Sequence, residues 1–299
     1  MTNNSYTEIS HSDDCAKYVN QFIQTFTLRR AEIGQGTVIK RALPSREKRM
    51  IGAWCFLDHA GPVHFPQGDG LDVGPHPHIG LQTFTWMIDG TMLHDDSVGS
   101  KQLIRPKQVN LMTAGYGISH TEVAPDHETQ MHAAQLWIAL PDDKRNIAPR
   151  FDHYPELPVV MKDGIEFTVL VGDFLDTTSP VKVHSELLGV DLTSKAATSS
   201  TLSLNPRFEY GFMVLEGEAS IHGHELNDDN FLFVEPGLTE LKLDLAANSR
   251  VLLLGGVPFE SPILLWWNFV GRTQEELAEA RQQWVEGHSR FGNIPAYEG

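Results

Sequence analysis

Four residues, in two short segments, carry the densest metal-binding chemistry in the chain. His76 and His78 stand two apart in GPHPHIG (74–80), and His120 and Glu122 stand two apart in MTAGYGISHTEV (112–123). Residues at i and i+2 of a strand project to the same face. If the two segments are neighbouring strands, three imidazoles and one carboxylate converge from one interior face. That donor set suits Fe, Ni, Cu, Mn or Zn. Four protein ligands around an octahedral ion leave two positions for water, dioxygen or substrate. Gly115 and Gly117 let the backbone turn sharply and approach closely just before the ligands.

An HxH pair alone is weak evidence, because His222-Gly-His224 has the same spacing with no HxE downstream. His59, beside Asp58 in LDHAGP, is the candidate to stand behind a ligand, with Asp58 orienting it. His64, His94 and His132 read as hydrogen-bonded or exposed histidines. Trp86, Met112 and Trp137 are candidates for a flat apolar pocket, although barrel core is the commoner role for such residues.

The elements that position these residues are short. From about Phe26, runs of five to eight apolar or alternating residues lie between turn signals, as in GTVIKRAL, TFTWMIDG and AAQLWIALP. This texture predicts strands in a sandwich or barrel. A proline-rich stretch, PDDKRNIAPRFDHYPELP, precedes a second strand series that begins at GIEFTVLVGD. The two series repeat a pattern: an apolar strand into an acidic-Gly turn (Gly90, Gly217), then a hydrophobic-Pro step (Pro106, Pro236). Aligned on the glycines, His76 and His78 fall on Ser203 and Asn205. Aligned on the prolines, His120 and Glu122 fall on Arg250 and Leu252. The second unit is therefore expected to keep the strands and lack the ligands. A short helix is expected over residues 12–26, from Val19, Phe22, Ile23 and Phe26. A C-terminal helix starting at Thr273 is expected to pair Thr273 with Glu276 as a capping box and to bury Leu277, Ala280 and Trp284.

Composition excludes other classes. Of 299 residues, 41% are hydrophobic, which supplies real cores. The net charge of −16 opposes direct nucleic-acid binding. No apolar run is long enough to span a membrane. The N-terminus has no secretory pattern, so a cytoplasmic location is expected. Cys55, in AWCFL, reads as a small buried hydrophobe.

The segments HPHIGLQTFTWMIDG, MTAGYGISHTE, QLWIALP and LPSREKRMIGAWCFLDHAGP resemble the signature segments of pirins, within the cupin superfamily, and the resemblance extends over roughly residues 28 to 270. It implies an all-β bicupin: two antiparallel β-barrel (jelly-roll) domains facing each other, here with short N- and C-terminal helices. The expected division is an N-terminal extension (1–27), a metal-binding barrel (28–145) and a C-terminal barrel without ligands (146–299). The resemblance makes His76, His78, His120 and Glu122 the ligands of one divalent metal. Fe(II) is the usual ion of the family, with Mn, Ni, Co, Cu or Zn as alternatives. It implies a quercetin 2,3-dioxygenase that takes a small aromatic substrate and dioxygen, with Glu122 as proton acceptor. The alternative it carries is a non-catalytic metal or redox sensor that acts on protein partners. Many pirins have a glutamate where this chain has Gln82, which leaves Glu122 as the only carboxylate of the motif.

Overall fold

The computed structural model describes residues 9–13, 22–33 and 36–294. These residues form two copies of one architecture, each a seven-stranded sheet packed on a four-stranded sheet. In the first copy the large sheet has the spatial order Arg150–Tyr154, Val109–Thr113, Leu81–Gly90, Gln130–Ala139, Trp54–His64, Thr37–Leu43, Arg29–Ile33. The small sheet has the order Asp72–His78, Ile118–Val123, Met92–Asp96, Lys101–Ile104. The second copy repeats this, with Glu209–Glu216 in the place of Leu81–Gly90 and Thr198–Ser203 in the place of Asp72–His78. Gly90 and Gly217, both at positive φ, end equivalent strands as the repeat predicts.

The proline alignment fails. Pro106 follows the small-sheet strand Lys101–Ile104, whereas Pro236 follows the large-sheet strand Asn230–Val234. The true counterpart of Ile118–Val123 is Glu240–Leu245, not the strand that holds Arg250 and Leu252. A hydrophobic-Pro step marks any strand that leaves a barrel, so it does not fix which one.

The two halves exchange edge strands. Arg150–Tyr154 lies within the proline-rich segment and pairs with Val109–Thr113 of the first barrel. Ile23–Thr27 pairs with Asn230–Val234 of the second. The helix expected over 12–26 is thereby corrected: residues 14–21 fall outside the described residues, and 23–27 is a strand. Phe26 sits opposite Phe231 in it and is buried against the second barrel; tertiary pairing overrides the helical spacing. The C-terminal helix, Gln274–Val285, is present as expected. Thr273 Oγ1 accepts the Glu276 N–H at 3.1 Å, while Glu276 Oε2 accepts the N–H of Arg272 instead of Thr273, and Leu277 and Ala280 are buried with Trp284 only half-buried.

One core joins the barrels. Trp54, Leu57, Phe84 and Trp86 of the first pack with Leu170, Met213, Phe231 and Leu252 of the second. Trp54 Nε1 donates to the Leu188 carbonyl at 3.1 Å, and Trp86 Nε1 donates to Asp191 Oδ2 at 2.5 Å. Among the described residues no helix is long and apolar enough to cross a membrane.

Candidate metal centre

The two segments that carry His76, His78, His120 and Glu122 are neighbouring antiparallel strands. His120 stands directly opposite His76, and Ile118 opposite His78. A bulge between His120 and Glu122 then brings Glu122 opposite Val73, and such a bulge bends the strand and re-aims its side chains. One imidazole nitrogen from each of His76, His78 and His120 lies within 4.8 Å of the others, and all three rings are buried. Glu122 does not join that cluster; it lines the same cleft as the three rings and is itself buried.

The outer nitrogens fix the inner ones. His76 Nδ1 donates to the Gly74 carbonyl and His78 Nδ1 to the Asn268 carbonyl, both at 2.9 Å. A carbonyl only accepts, so each of these rings keeps an Nε2 lone pair. His78 Nε2 and His120 Nε2 approach to 3.1 Å. Burial holds the rings neutral: His76 is lowered to about 4, and His78 and His120 fall well below their ordinary value, with the neighbouring imidazoles adding to the effect. Neutral imidazoles with converging lone pairs fit a divalent transition metal, which needs deprotonated nitrogen donors. Burial also pushes the Glu122 carboxyl up, offset only in part by His94 and the Thr85 hydroxyl.

The two histidine strands are seated by residues far along the chain. The hairpin Leu264–Trp266 to Phe269–Gly271 turns through Trp267 (φ 54°) and Asn268, whose carbonyl anchors His78. Behind His78, Gly80 adopts φ +69°, and a Cβ there would overlap the Val270 carbonyl oxygen. The glycines before His120 behave as their spacing predicts. A Cβ on Gly115 (φ +52°) would overlap the Ile147 carbonyl, and one on Gly117 would lie 3.0 Å from the Arg290 carbonyl. Ser119 Oγ donates to the Phe291 carbonyl at 2.8 Å.

The cleft in front of the imidazoles spans about 810 Å³, open solvent included. Phe56 and Trp137 stack on one wall with centroids 4.1 Å apart and planes within 14°. Arg41 and Asp58 form a buried bidentate pair, two contacts of 2.6 Å, with the guanidinium 4.6 Å over the Phe56 ring. Gln135 and Trp267 complete the polar and outer walls.

Other expectations are redistributed. Trp137 lines the cleft, whereas Trp86 belongs to the core between the barrels and Met112 to a cluster behind the site. Asp58 pairs with Arg41 instead of orienting His59, whose Nε2 meets His132 Nε2 at 2.7 Å. Gln82 is fully buried, donates to Thr113 Oγ1 at 2.9 Å and does not line the cleft. His222 and His224 sit on an exposed hairpin turn. The histidine behind the ligands is His94, whose Nδ1 lies 3.3 Å from His120 Nδ1 and whose Nε2 lies 3.0 Å from Asp96 Oδ2. The signal for it was present: His94 and Asp96 are two apart on a strand, the same period that marks the ligands.

The comparisons with known proteins agree with this architecture. The Pirin family model matches residues 36–138, and the model of the Pirin C-terminal cupin domain matches residues 189–292. The chain belongs to the pirin family. A crystal structure of quercetin 2,3-dioxygenase from Acinetobacter baumannii is 71% identical and superposes with a TM-score of 0.92, covering 95% of each chain. A Pseudomonas aeruginosa protein, provisionally named a quercetin 2,3-dioxygenase, is 51% identical over 98% of this chain and 93% of its own. A pirin-like protein of Caulobacter vibrioides is 35% identical over 90% of this chain and 95% of its own. The bicupin fold of this pirin is thus shared along nearly its whole length.

Proposed function

We propose that this pirin is a metal-dependent dioxygenase that opens the ring of quercetin or a similar flavonol. The observation that carries the reading is the three-imidazole cluster facing an aromatic-walled cleft that also holds Glu122. The 71% identical Acinetobacter structure, described as a quercetin 2,3-dioxygenase, supports the substrate class. His76, His78 and His120 would hold the ion through Nε2, with Glu122 as fourth ligand. Fe(II) is the ion we favour for this mixed imidazole–carboxylate set, with Mn, Ni, Co, Cu or Zn as alternatives. When bound, such an ion acidifies a coordinated hydroxyl and offers open positions to the reactants.

The chain's own residues do the rest. Phe56 and Trp137 bind the flat ring system. Gln135 and the neutral Arg41–Asp58 pair meet its phenolic hydroxyls. Glu122, made more basic by burial, accepts the enolic proton. Ring cleavage with loss of carbon monoxide is the outcome that the family resemblance implies. We assign the metal to residues 28–145. Among the described residues the clustered imidazoles all come from 76–120, and the second half seats the site from outside, through Asn268 and Phe291. A cytoplasmic setting accords with the buried, unpaired thiol of Cys55.

The test is oxygen uptake with quercetin after anaerobic loading with Fe(II), and separately with Mn(II), Ni(II), Co(II) and Cu(II). Uptake and carbon monoxide release should follow metal content and vanish in His120→Ala. Glu122→Gln should lower turnover at least 100-fold, an order of magnitude typical of a lost proton-transfer group, with metal content falling much less. No uptake with any fully loaded ion would sink the activity and turn attention to a sensor that binds protein partners.

A further inference from the structure

Behind His120 lies a polar chain that no substrate reaches. Met92–Asp96 pairs with the His120 strand, with Asp96 opposite His120 and His94 opposite Glu122. His120 Nδ1 meets His94 Nδ1 at 3.3 Å, and His94 Nε2 meets Asp96 Oδ2 at 3.0 Å. Asp96 Oδ1 accepts the backbone N–H groups of Val98 and Ser100 at 3.0 and 2.9 Å. The three side chains are 0–3% exposed, and the His94 ring is fixed by stacking on Phe151 with centroids 4.3 Å apart. Neither histidine is hydrogen-bonded to a backbone carbonyl, so apart from the 3.1 Å approach of His120 Nε2 to His78 Nε2 this chain decides where their protons sit.

The direction of the chain follows from its far end. A carboxylate accepts and does not donate. Burial opposes the charge of Asp96, but the hydrogen bonds from His94, Ser100 and Val98 outweigh it and hold the carboxyl below its ordinary value. His94 therefore donates through Nε2, which leaves Nδ1 with a lone pair. His120 must then donate through Nδ1, which frees Nε2 on the side where the three imidazoles converge. His76 and His78 reach the same tautomer by donating to carbonyls.

We propose that His94 and Asp96 are positioning residues whose one-way chain keeps His120 Nε2 deprotonated for a metal ion. The proposal rests on the metal reading above and deepens it. The carboxylate–imidazole–imidazole chain does over two rings what a single acceptor does for an ordinary ligating histidine.

The diagnostic variant is Asp96→Asn. Its carbonyl oxygen still caps the loop N–H groups, but an amide N–H now faces His94 Nε2. His94 must accept there and donate from Nδ1, so the His120 proton moves to Nε2, the atom the ion needs. The same inversion of tautomer by an Asp-to-Asn change disables other imidazole chains. His94→Gln is the counter-variant, because its amide can accept from His120 and donate to Asp96. It preserves the direction while losing the stack on Phe151.

Two readouts separate the outcomes. In metal-free protein, long-range ¹H–¹⁵N NMR of the imidazoles should give the Nδ1–H tautomer for His120 in the wild type and His94→Gln, and the Nε2–H tautomer in Asp96→Asn. Competition titration with Co(II) should show Kd raised about 10- to 100-fold in Asp96→Asn and within a few-fold of wild type in His94→Gln. A merely structural role would reverse that order, since His94→Gln is the larger change. An Nε2–H tautomer in the wild type, or unchanged tautomer and Kd in Asp96→Asn, overturns the proposal. Failure of the wild type to bind any divalent ion would overturn the metal reading instead, and the NMR result would still decide the chain.

Discussion

Trp137 does two jobs with one side chain. Its face stacks on Phe56, and its plane stands at 76° to His78, 5.1 Å away. It therefore shapes the slot for a flat ring and braces one imidazole of the cluster. Trp137→Leu should raise KM for quercetin by about 2- to 10-fold, the equivalent of a lost aromatic contact of roughly 0.5–1.5 kcal/mol. The kcat should change less, because the proton acceptor and ligands stay in place; steady-state kinetics checks the split. A fall in kcat with KM unchanged would place the ring elsewhere. The histidines of the cluster were legible in the sequence because a period of two is all that a strand requires to aim them together. The sequence alone reads His94 as a hydrogen-bonded or exposed histidine, because its place behind His120 with Asp96 depends on a strand pairing that the period of two does not fix. His59 misled for the converse reason: its neighbour in sequence, Asp58, faces the cleft and Arg41, while His59 faces the junction of the barrels.

Each strand that carries the cluster is held by an element more than a hundred residues away. The HPH strand depends on the hairpin through three consecutive residues: His78 to Asn268, Ile79 bridged to Phe269, and Gly80 under Val270. Residues 10–11 add a third strand to that hairpin, with Ser10 opposite Leu265. Gly80→Ala tests the arrangement. The new methyl meets a backbone carbonyl at a positive φ, so either the hairpin or the HPH strand must shift. A cost of about 1–3 kcal/mol is expected for such strain, read from urea denaturation of the metal-free protein. Co(II) affinity should fall as well, because the shift carries His78 with it. An unchanged affinity with lowered stability would mean that the hairpin yields and the ligand strand does not. This dependence is not written in any local pattern. Sequence periodicity names strands and their faces, but pairing between residues 79 and 269 is a property of the closed fold. The same limit explains the edge strands 23–27 and 150–154, which the linear order puts in the N-terminal extension and the second barrel and which pair with the second and first barrels.

At the scale of the whole molecule, the junction between the barrels holds a second histidine pair with no ligand to serve. His132 Nδ1 lies 3.0 Å from Glu216 Oε1 of the second barrel, which makes Nδ1 the donor. His132 Nε2 then accepts from His59 Nε2 at 2.7 Å, and His59 Nδ1 is buried with no hydrogen-bond partner. A further proton has no acceptor on either ring. Burial accordingly lowers His59 to about 3 and His132 to about 4, helped for His59 by His132 and Lys40 and for His132 by Arg250, against Asp228 and Asp89. The unfolded chain takes up these protons near pH 6.5 and the folded chain does not, so more protons are bound in the unfolded state between those values. Stability must then fall as pH drops through that window, by at most about 1.4 kcal/mol per pH unit for each withheld proton. His76, His78 and His120 add the same sign when no metal is present. Thermal unfolding of metal-free protein from pH 7.5 to 4 should therefore show a falling Tm. The double variant His59→Gln with His132→Gln should flatten part of that fall, since amides carry no titrating proton. Saturating Co(II) should raise Tm without altering the slope near pH 6.5, because the folded cluster is unprotonated there with or without the ion. If the double variant leaves the slope unchanged, the loss of stability on acidification arises at other groups, and the junction is held by the shared core of Trp54, Trp86, Met213 and Phe231.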